Sequence, residues 1–377
     1  MPPTPWLSYC KCSAMNNRNL RGRIPYLDVL RVVACVLVLL IHAPMYKVSQ
    51  TTPSPSFAAY LTLFTVSSKL FFMLSGALLL PVQISTRSFV FRRLKVVLIP
   101  LLVWSVIYLL EHIFLLQDFH WRMLLSAPFT PVEESLWFVY VMAVVYLVLP
   151  LLSKCVISIG KRGVEYLILF WVLSSLIPYQ HGIFIGQNQI THNMFGAFAN
   201  VLGYVLLGYY LHNHPLPLFT KRHWWKFALA FTFGIVVMPL FEFIVQPHFG
   251  ISYAQAIGAV TSDVSINALA MGTLLFSVVQ HFAPASYSDG KPHRFCLILS
   301  RISICTYGIY LGHMLIMRQV VWPFMIHYLP DIQYTVVLGF ITAGITFVIT
   351  YAIMRIINLT PLSKAVIGRS NLAIRGK

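Results

Sequence analysis

The chain has 377 residues, 58% of them hydrophobic and only 10% charged, against about 25% charged in an average soluble domain. With a mean hydropathy of +0.76, water is excluded as its main solvent. The formal net charge of +17 does not point to nucleic acid, because the basic residues form small clusters at alternate ends of apolar runs, which is a signature of membrane topology.

A helix needs about 20 apolar residues to cross a hydrocarbon layer of about 30 Å. Runs of that kind predict spans at Asp28 to Tyr46, Phe57 to Val82, Val96 to Leu116, Leu136 to Leu152, Val164 to Pro178, Met194 to His212, Phe227 to Gln246, Val264 to Phe282, Ile302 to Phe324 and Tyr334 to Asn358. Lipid offers no partner to backbone amides, so the runs read as helices. The fold class is therefore all-α, a polytopic membrane bundle of about ten transmembrane helices. Residues 1–23 read as an N-terminal tail, 24–358 as the membrane domain and 359–377 as a C-terminal tail.

Basic loops occur at Arg18 to Arg23, Arg87 to Lys95, Lys154 to Arg162, Lys221 to Lys226 and Lys291 to Arg301, and in the tail at Lys364, Arg369, Arg375 and Lys377. The alternate loops hold Asp118, Glu133, Glu134 and Asp331. This asymmetry puts both termini in the cytoplasm. The first 23 residues lack the apolar core of a removable signal peptide, so the expected location is the bacterial inner membrane. The six cysteines form no secreted framework and are expected to be reduced, with Cys35 and Cys305 inside spans, Cys155 and Cys296 near cytoplasmic loops, and Cys10 and Cys12 in the tail. Thr51 to Ser56 reads as an outside turn. The longer segments Gln117 to Ser135 and Tyr179 to Asn193 have room for short structure near an acceptor.

Ionisable groups inside spans are costly and mark pathways or reaction sites. In the first span these are Asp28, Arg31 and His42. At about 100° per residue, the step from Arg31 to His42 is three turns, which places both on one face ~16 Å apart. Asp28 lies one turn before Arg31 on that face. The pair suits a long ligand with an anionic head at Arg31 and a reactive end at His42, whose imidazole is suited to take a proton from a hydroxyl. The competing reading makes Arg31 an interfacial anchor paired with Asp28, and His42 a cap near the outer surface.

The second span carries Lys69 and then Phe71-Phe72-Met73-Leu74-Ser75-Gly76. Ser75 and Gly76 either admit a narrow substrate arm or serve close helix packing. Lys69 calls for a carboxylate, a cavity or an anionic ligand. Arg87, Arg92, Arg93 and Lys95 either receive cofactor phosphates or simply obey topology. In the ninth span Tyr310 and His313 stand one turn apart, facing the His42 cavity or satisfied within the core. Glu133 and Glu134 precede Trp137 at the outer mouth of the fourth span. Trp137 is an interfacial anchor by default, and the acids are candidates for binding acceptor hydroxyls or orienting a histidine. No Cys or acid completes a metal set with His212, His214 and His223, so no metal is expected. No phosphate-binding glycine loop appears either, which argues against a nucleotide-driven pump.

Arg31 and His42, set in Tyr26-Leu27-Asp28-Val29-Leu30-Arg31, resemble the first-helix signature of the acyltransferase-3 family. The likeness continues through Phe71 to Gly76, Arg92-Arg93 before Pro100, Leu136-Trp137-Phe138 running to Tyr146 and Pro150, and Tyr310-Leu311-Gly312-His313. It covers about residues 24 to 355 in order. Within the family, Leu136 to Leu152 is most similar to the O-acetyltransferases of enterobacterial common antigen. One departure is Lys69-Leu70, where relatives often have Val-Pro before the double Phe.

The resemblance implies transfer of an acyl group, commonly acetyl from acetyl-CoA as cosubstrate, to a hydroxyl of a surface glycan. It implies His42 and His313 as catalytic residues and Arg31, Arg92, Arg93 and Ser75 at the acyl-CoA. Glu133, Glu134 and Trp137 are then candidates for the acceptor. Partners are acyl-CoA, membrane lipids and a glycan or lipid-linked sugar, with no nucleic acid. Only a short tail follows the last span, so the acceptor is expected to come to the membrane itself. The alternatives are a glycan exporter or flippase, which needs no acyl-CoA, and a proton-coupled carrier using Lys69, Glu242 and His313.

Overall fold

The computed structural model describes residues 23–45, 60–61, 63–185, 194–216, 224–232, 266–283, 294–329 and 335–368. The expected turn at Thr51 to Ser56, the leading 22 residues and Glu242 lie outside these residues. No strand occurs among the described residues. The helices are α1 Pro25–His42, α2 Val66–Leu79, α3 Thr86–Glu111, α4 Trp121–Ser126, α5 Trp137–Ile185, α6 Met194–Asn213, α7 Trp224–Thr232, α8 Ile266–Phe282, α9 Arg294–Ile316, α10 Trp322–Tyr328, α11 Thr335–Ile357 and α12 Ser363–Val366. Helix is present in each of the predicted spans, and α4 is the short structure in the loop Gln117 to Ser135.

Among the described residues, five stretches are long and apolar enough to cross a membrane: Pro25–His42, Thr86–Leu116, Glu134–Leu173, Ile298–Tyr328 and Val336–Ile357. Two shorter apolar helices, Val66–Leu79 and Ala268–Phe282, accompany them. At 49 residues α5 is too long for one crossing. It is broken at Gly160, whose φ of 63° favours a residue without a Cβ. Val156 and Val164, on either side, share one buried cluster with Leu206, and the break falls between the predicted spans Leu136 to Leu152 and Val164 to Pro178. Two π-helical turns, His112–Leu116 and Met317–Val321, extend α3 and α9.

The core is built around α1, which packs on α2, α9 and α11, while α2 packs most extensively on α6. Glycine makes that last contact possible. A Cβ on Gly76 would sit 1.8 Å from the Val205 carbonyl oxygen, and one on Gly208 would sit 2.0 Å from that of Met73. Lipid supplies no hydrophobic drive between helices, so such backbone approach, with the dispersion contacts it permits, holds the pair together.

Part of the predicted C-terminal tail is folded onto the bundle. The Trp104 indole donates to the Val366 carbonyl at 3.1 Å, and Ile367 is buried. Apolar residues just beyond the last polar turn (Thr360 to Ser363) fill the space beside α3 and α9. Cys35 and Cys155 are free thiols.

Gly76→Ala should destabilise at the upper end of the roughly 1–3 kcal/mol typical of overpacking. Gly344→Ala, where nothing lies within 4 Å of the added Cβ, should stay within about 0.5 kcal/mol. Thermal unfolding of the two purified variants in detergent checks the difference, and equal stabilities would contradict the assigned interface.

Candidate functional site

The continuous α geometry of α1 places Arg31 and His42 on one face, as the three-turn spacing requires. Polar contacts along the interface fix the register of α1 on α9. Near the start of α1, Asp28 accepts Nε and Nη2 of Arg23 at 2.9 and 2.6 Å and the Ser303 hydroxyl at 2.7 Å. It also accepts Arg31 Nη1 at 3.0 Å. Midway, the Cys35 thiol points to the Thr306 carbonyl at 3.7 Å. At the far end, the Trp322 indole donates to the Ala43 carbonyl at 3.1 Å.

This register brings the imidazoles of His42 and His313 together, with ring centroids 5.3 Å apart. His313 is fully buried. Its Nδ1 lies 2.5 Å from the Tyr310 carbonyl, and a carbonyl only accepts, so Nδ1 carries a proton and Nε2 of the neutral ring is a lone pair. Nε2 has no hydrogen-bond partner among the described residues. A buried acceptor left open in this way calls for an explanation, and a functional one is available beside His42.

His42 itself is half-buried and lines a cavity of about 310 Å³. The wall includes Thr65, Ser67, Ser68 and Lys69 of the second span, the aromatic rings of Phe71, Trp137, Phe138 and Tyr310, and Ser135. Tyr310 donates its hydroxyl to the Ser135 carbonyl, and the Ser135 hydroxyl has no partner among the described residues. Lys69 Nζ donates to the Thr65 carbonyl at 2.9 Å. The chamber thus joins an imidazole, hydroxyls, a cation and ring faces. A larger open groove of about 860 Å³ runs along Thr86, Arg87, Val90, Phe91, Leu94, Lys95 and Leu98, but all of these lie on one face of α3, an outward surface and not a chamber.

Toward the basic end, Tyr146 joins three predicted residues. Its hydroxyl lies near Ser75, Arg93 and Arg31. Ser75 also donates to the Phe71 carbonyl at 3.0 Å, one turn from the cavity. Arg31 is paired with Asp28 and retains 32% side-chain exposure. Arg93 lies over the Phe89 ring, 5.8 Å from its centroid. Arg92 is exposed and does not join this group.

Glu133 is buried and paired with Arg318, while Glu134 is exposed; neither lines the cavity. Arg318 Nε also lies 3.6 Å from Glu111, which accepts from Gln319 at 2.7 Å. The network braces the wall strip Ser135 to Phe138. Outside the spans, the hydrogen bond from His112 holds the Asp118 carboxyl below its usual range. Trp137 remains partly exposed, in the cavity wall. Among the described residues no group of His, Cys, Asp and Glu could hold a metal ion.

Residues 24–355 match the family model described as the acyltransferase domain of the acyltransferase-3 type, nearly the whole span of described helices. The chain belongs to the acyltransferase-3 family. Comparison with curated proteins and with solved structures returned no match, so the narrower likeness to the common-antigen O-acetyltransferases has no counterpart there. Within the acyltransferase-3 domain, the sequence alone assigns no role to Tyr146 or to the cavity hydroxyls of Thr65, Ser67, Ser68 and Ser135. A single Tyr in an apolar helix carries no signal of the groups it meets. Membership makes the protein a multi-pass membrane acyltransferase.

Removing Arg318 leaves two buried carboxylates without their cation. Arg318→Ala should cost about 3–5 kcal/mol, and adding Glu133→Gln should recover part of it. Thermal unfolding in detergent distinguishes this from a surface role, in which Arg318→Ala would change little.

Proposed function

We propose that the protein moves an acyl group, acetyl from acetyl-CoA, onto a hydroxyl of a surface glycan or lipid-linked sugar at the inner membrane. Both termini face the cytoplasm in this reading. The observation that carries it is the imidazole pair at the cavity: His42 on the wall, with the open Nε2 of His313 one ring behind. The cavity volume, near the lower end of ligand sites generally, suits one glycosyl unit and not the passage of a whole oligosaccharide.

Acyl-CoA enters at the basic end, where Arg31 and Arg93, with Arg92 at the entrance, meet its phosphates. Its thioester arm passes Ser75 and Tyr146, and the ~16 Å between Arg31 and His42 leaves the acyl carbon at the cavity. His42 takes the proton of the acceptor hydroxyl as that oxygen bonds to the thioester carbonyl carbon. The C–S bond breaks, and the leaving thiolate receives the proton from the imidazolium. The products are the sugar ester and free coenzyme A. In this reading His42 turns its one N–H toward the open lone pair of His313 Nε2, and this sets which nitrogen faces the substrate. A route through an acyl-imidazole yields the same products and keeps the same dependence on His42.

Purified protein given acetyl-CoA and a lipid-linked oligosaccharide should release free thiol. His42→Ala should lower that rate by about 10²–10⁴-fold, the usual range for loss of a general base. Full turnover by His42→Ala would remove His42 from the chemistry. Acceptor transport without thiol release would favour an exporter.

A further inference from the structure

Ser135 is a cavity residue to which the chemistry of His42 gives no role. It is buried, with 3% exposure, in the wall of the chamber that His42 lines. The wall holds four hydroxyl residues, Thr65, Ser67, Ser68 and Ser135. Of these, Ser135 is the one whose oxygen is buried without a hydrogen-bond partner among the described residues. A buried hydroxyl left open costs stability, so its presence at a site calls for a group that it meets there.

Hydroxyls within the helices commonly satisfy themselves. Ser75, Thr273, Ser277 and Thr346 each donate to the carbonyl four residues earlier, at 3.0, 2.8, 2.8 and 2.7 Å, the local bond open to Ser and Thr inside a helix. Ser135 has no helical turn behind it. It stands in the single 3-10 turn Glu134–Leu136 that leads into α5, and the backbone at Glu133 is extended. Thr342 and Thr350 also keep open hydroxyls, but on α11, outside the described cavity wall.

Ser135 is fixed in relation to His42. Its carbonyl accepts the Tyr310 hydroxyl, the Tyr310 carbonyl accepts His313 Nδ1 at 2.5 Å, and the His313 ring lies beside that of His42. Two residues before Ser135, Glu133 pairs with Arg318 in the π-helical turn that extends α9. One set of contacts with α9 therefore positions both the serine and the imidazole pair. The start of a long helix such as α5 also carries the positive end of its dipole, which favours negative charge nearby.

Acyl transfer develops one negative charge that neither histidine meets. As the acceptor oxygen bonds to the thioester carbon, an electron pair of the C=O bond moves onto the carbonyl oxygen, and a fixed donor in a water-poor site stabilises that oxyanion. We propose that the Ser135 hydroxyl donates to the thioester carbonyl oxygen and holds it while it carries this charge. The inference rests on the acyltransferase reading and adds a catalytic residue to it. Ser135 keeps its own proton throughout. The oxygen returns its electron pair to carbon, the C–S bond breaks, and the thiolate leaves with the proton that His42 took.

The test compares the natural protein with Ser135→Ala in detergent, reading thiol release from acetyl-CoA with a lipid-linked oligosaccharide as acceptor. Ser135→Ala should lower kcat by about 10²–10³-fold, the usual loss for one such donor. KM for each substrate should stay within about threefold, because the bond forms in the transition state. Its melting temperature should equal or exceed that of the natural protein, since the deleted hydroxyl has no partner among the described residues to lose. A purely structural serine would lower the melting temperature and leave kcat in place, which overturns the proposal. A raised KM for the oligosaccharide with kcat kept assigns the hydroxyl to the acceptor, and an acetyl ester on Ser135 in the mass spectrum makes it a nucleophile; either result also overturns it. If the natural protein releases no thiol, the donor and acceptor reading fails and this inference with it. If it does and Ser135→Ala is as fast, the inference alone fails.

Discussion

Everything at the site depends on the register of α1 against α9. Two imidazoles from helices some 270 positions apart in the chain meet only because Asp28 engages Ser303, Cys35 meets the Thr306 carbonyl and Ala43 meets Trp322. In hydrocarbon, helices gain little from burying apolar surface, so directional contacts and close packing must set the register. A slip of one residue would rotate His42 by about 100° and carry it off the shared face.

The same economy recurs around the cavity. Buried polar groups are costly unless partnered, and most here are partnered: Asp28 with two arginines and a serine, Glu133 with Arg318, Tyr310 with Ser135. Against that background two open atoms stand out, the hydroxyl of Ser135 in the chamber wall and Nε2 of His313, whose ring lies beside that of His42. The ionic network at Glu111, Glu133 and Arg318 serves that chamber from outside by fixing the strip that carries Ser135, Trp137 and Phe138. Glu133, which the sequence offers for binding acceptor hydroxyls or orienting a histidine, pairs with Arg318 and is not among the described lining residues.

The legible part of the structure is what a single helix reports about itself. Hydropathy located the spans, and the basic loop at Lys154 to Arg162 separated two of them where Gly160 breaks α5. Helical periodicity placed Arg31 and His42 together because α1 has no interruption. What stayed illegible depends on which faces meet. Apolar character along a helix does not distinguish lipid from a neighbouring helix, so the nearness of Tyr146 to Ser75, Arg93 and Arg31 had no sequence signal. The pairing of Glu133 with Arg318, 185 residues away, and the insertion of Val366 and Ile367 beside Trp104 were hidden for the same reason. Lys69 was legible as costly, but not as a neighbour of His42.

The central claim is that His42 and His313 act as one unit, and a double-mutant cycle on turnover tests it most directly. Thiol release would be measured for His42→Ala, His313→Ala and the double variant, each shown to be folded. The account predicts that the double variant is no slower than His42→Ala alone. Losses that multiply, as for two independent residues, would contradict it.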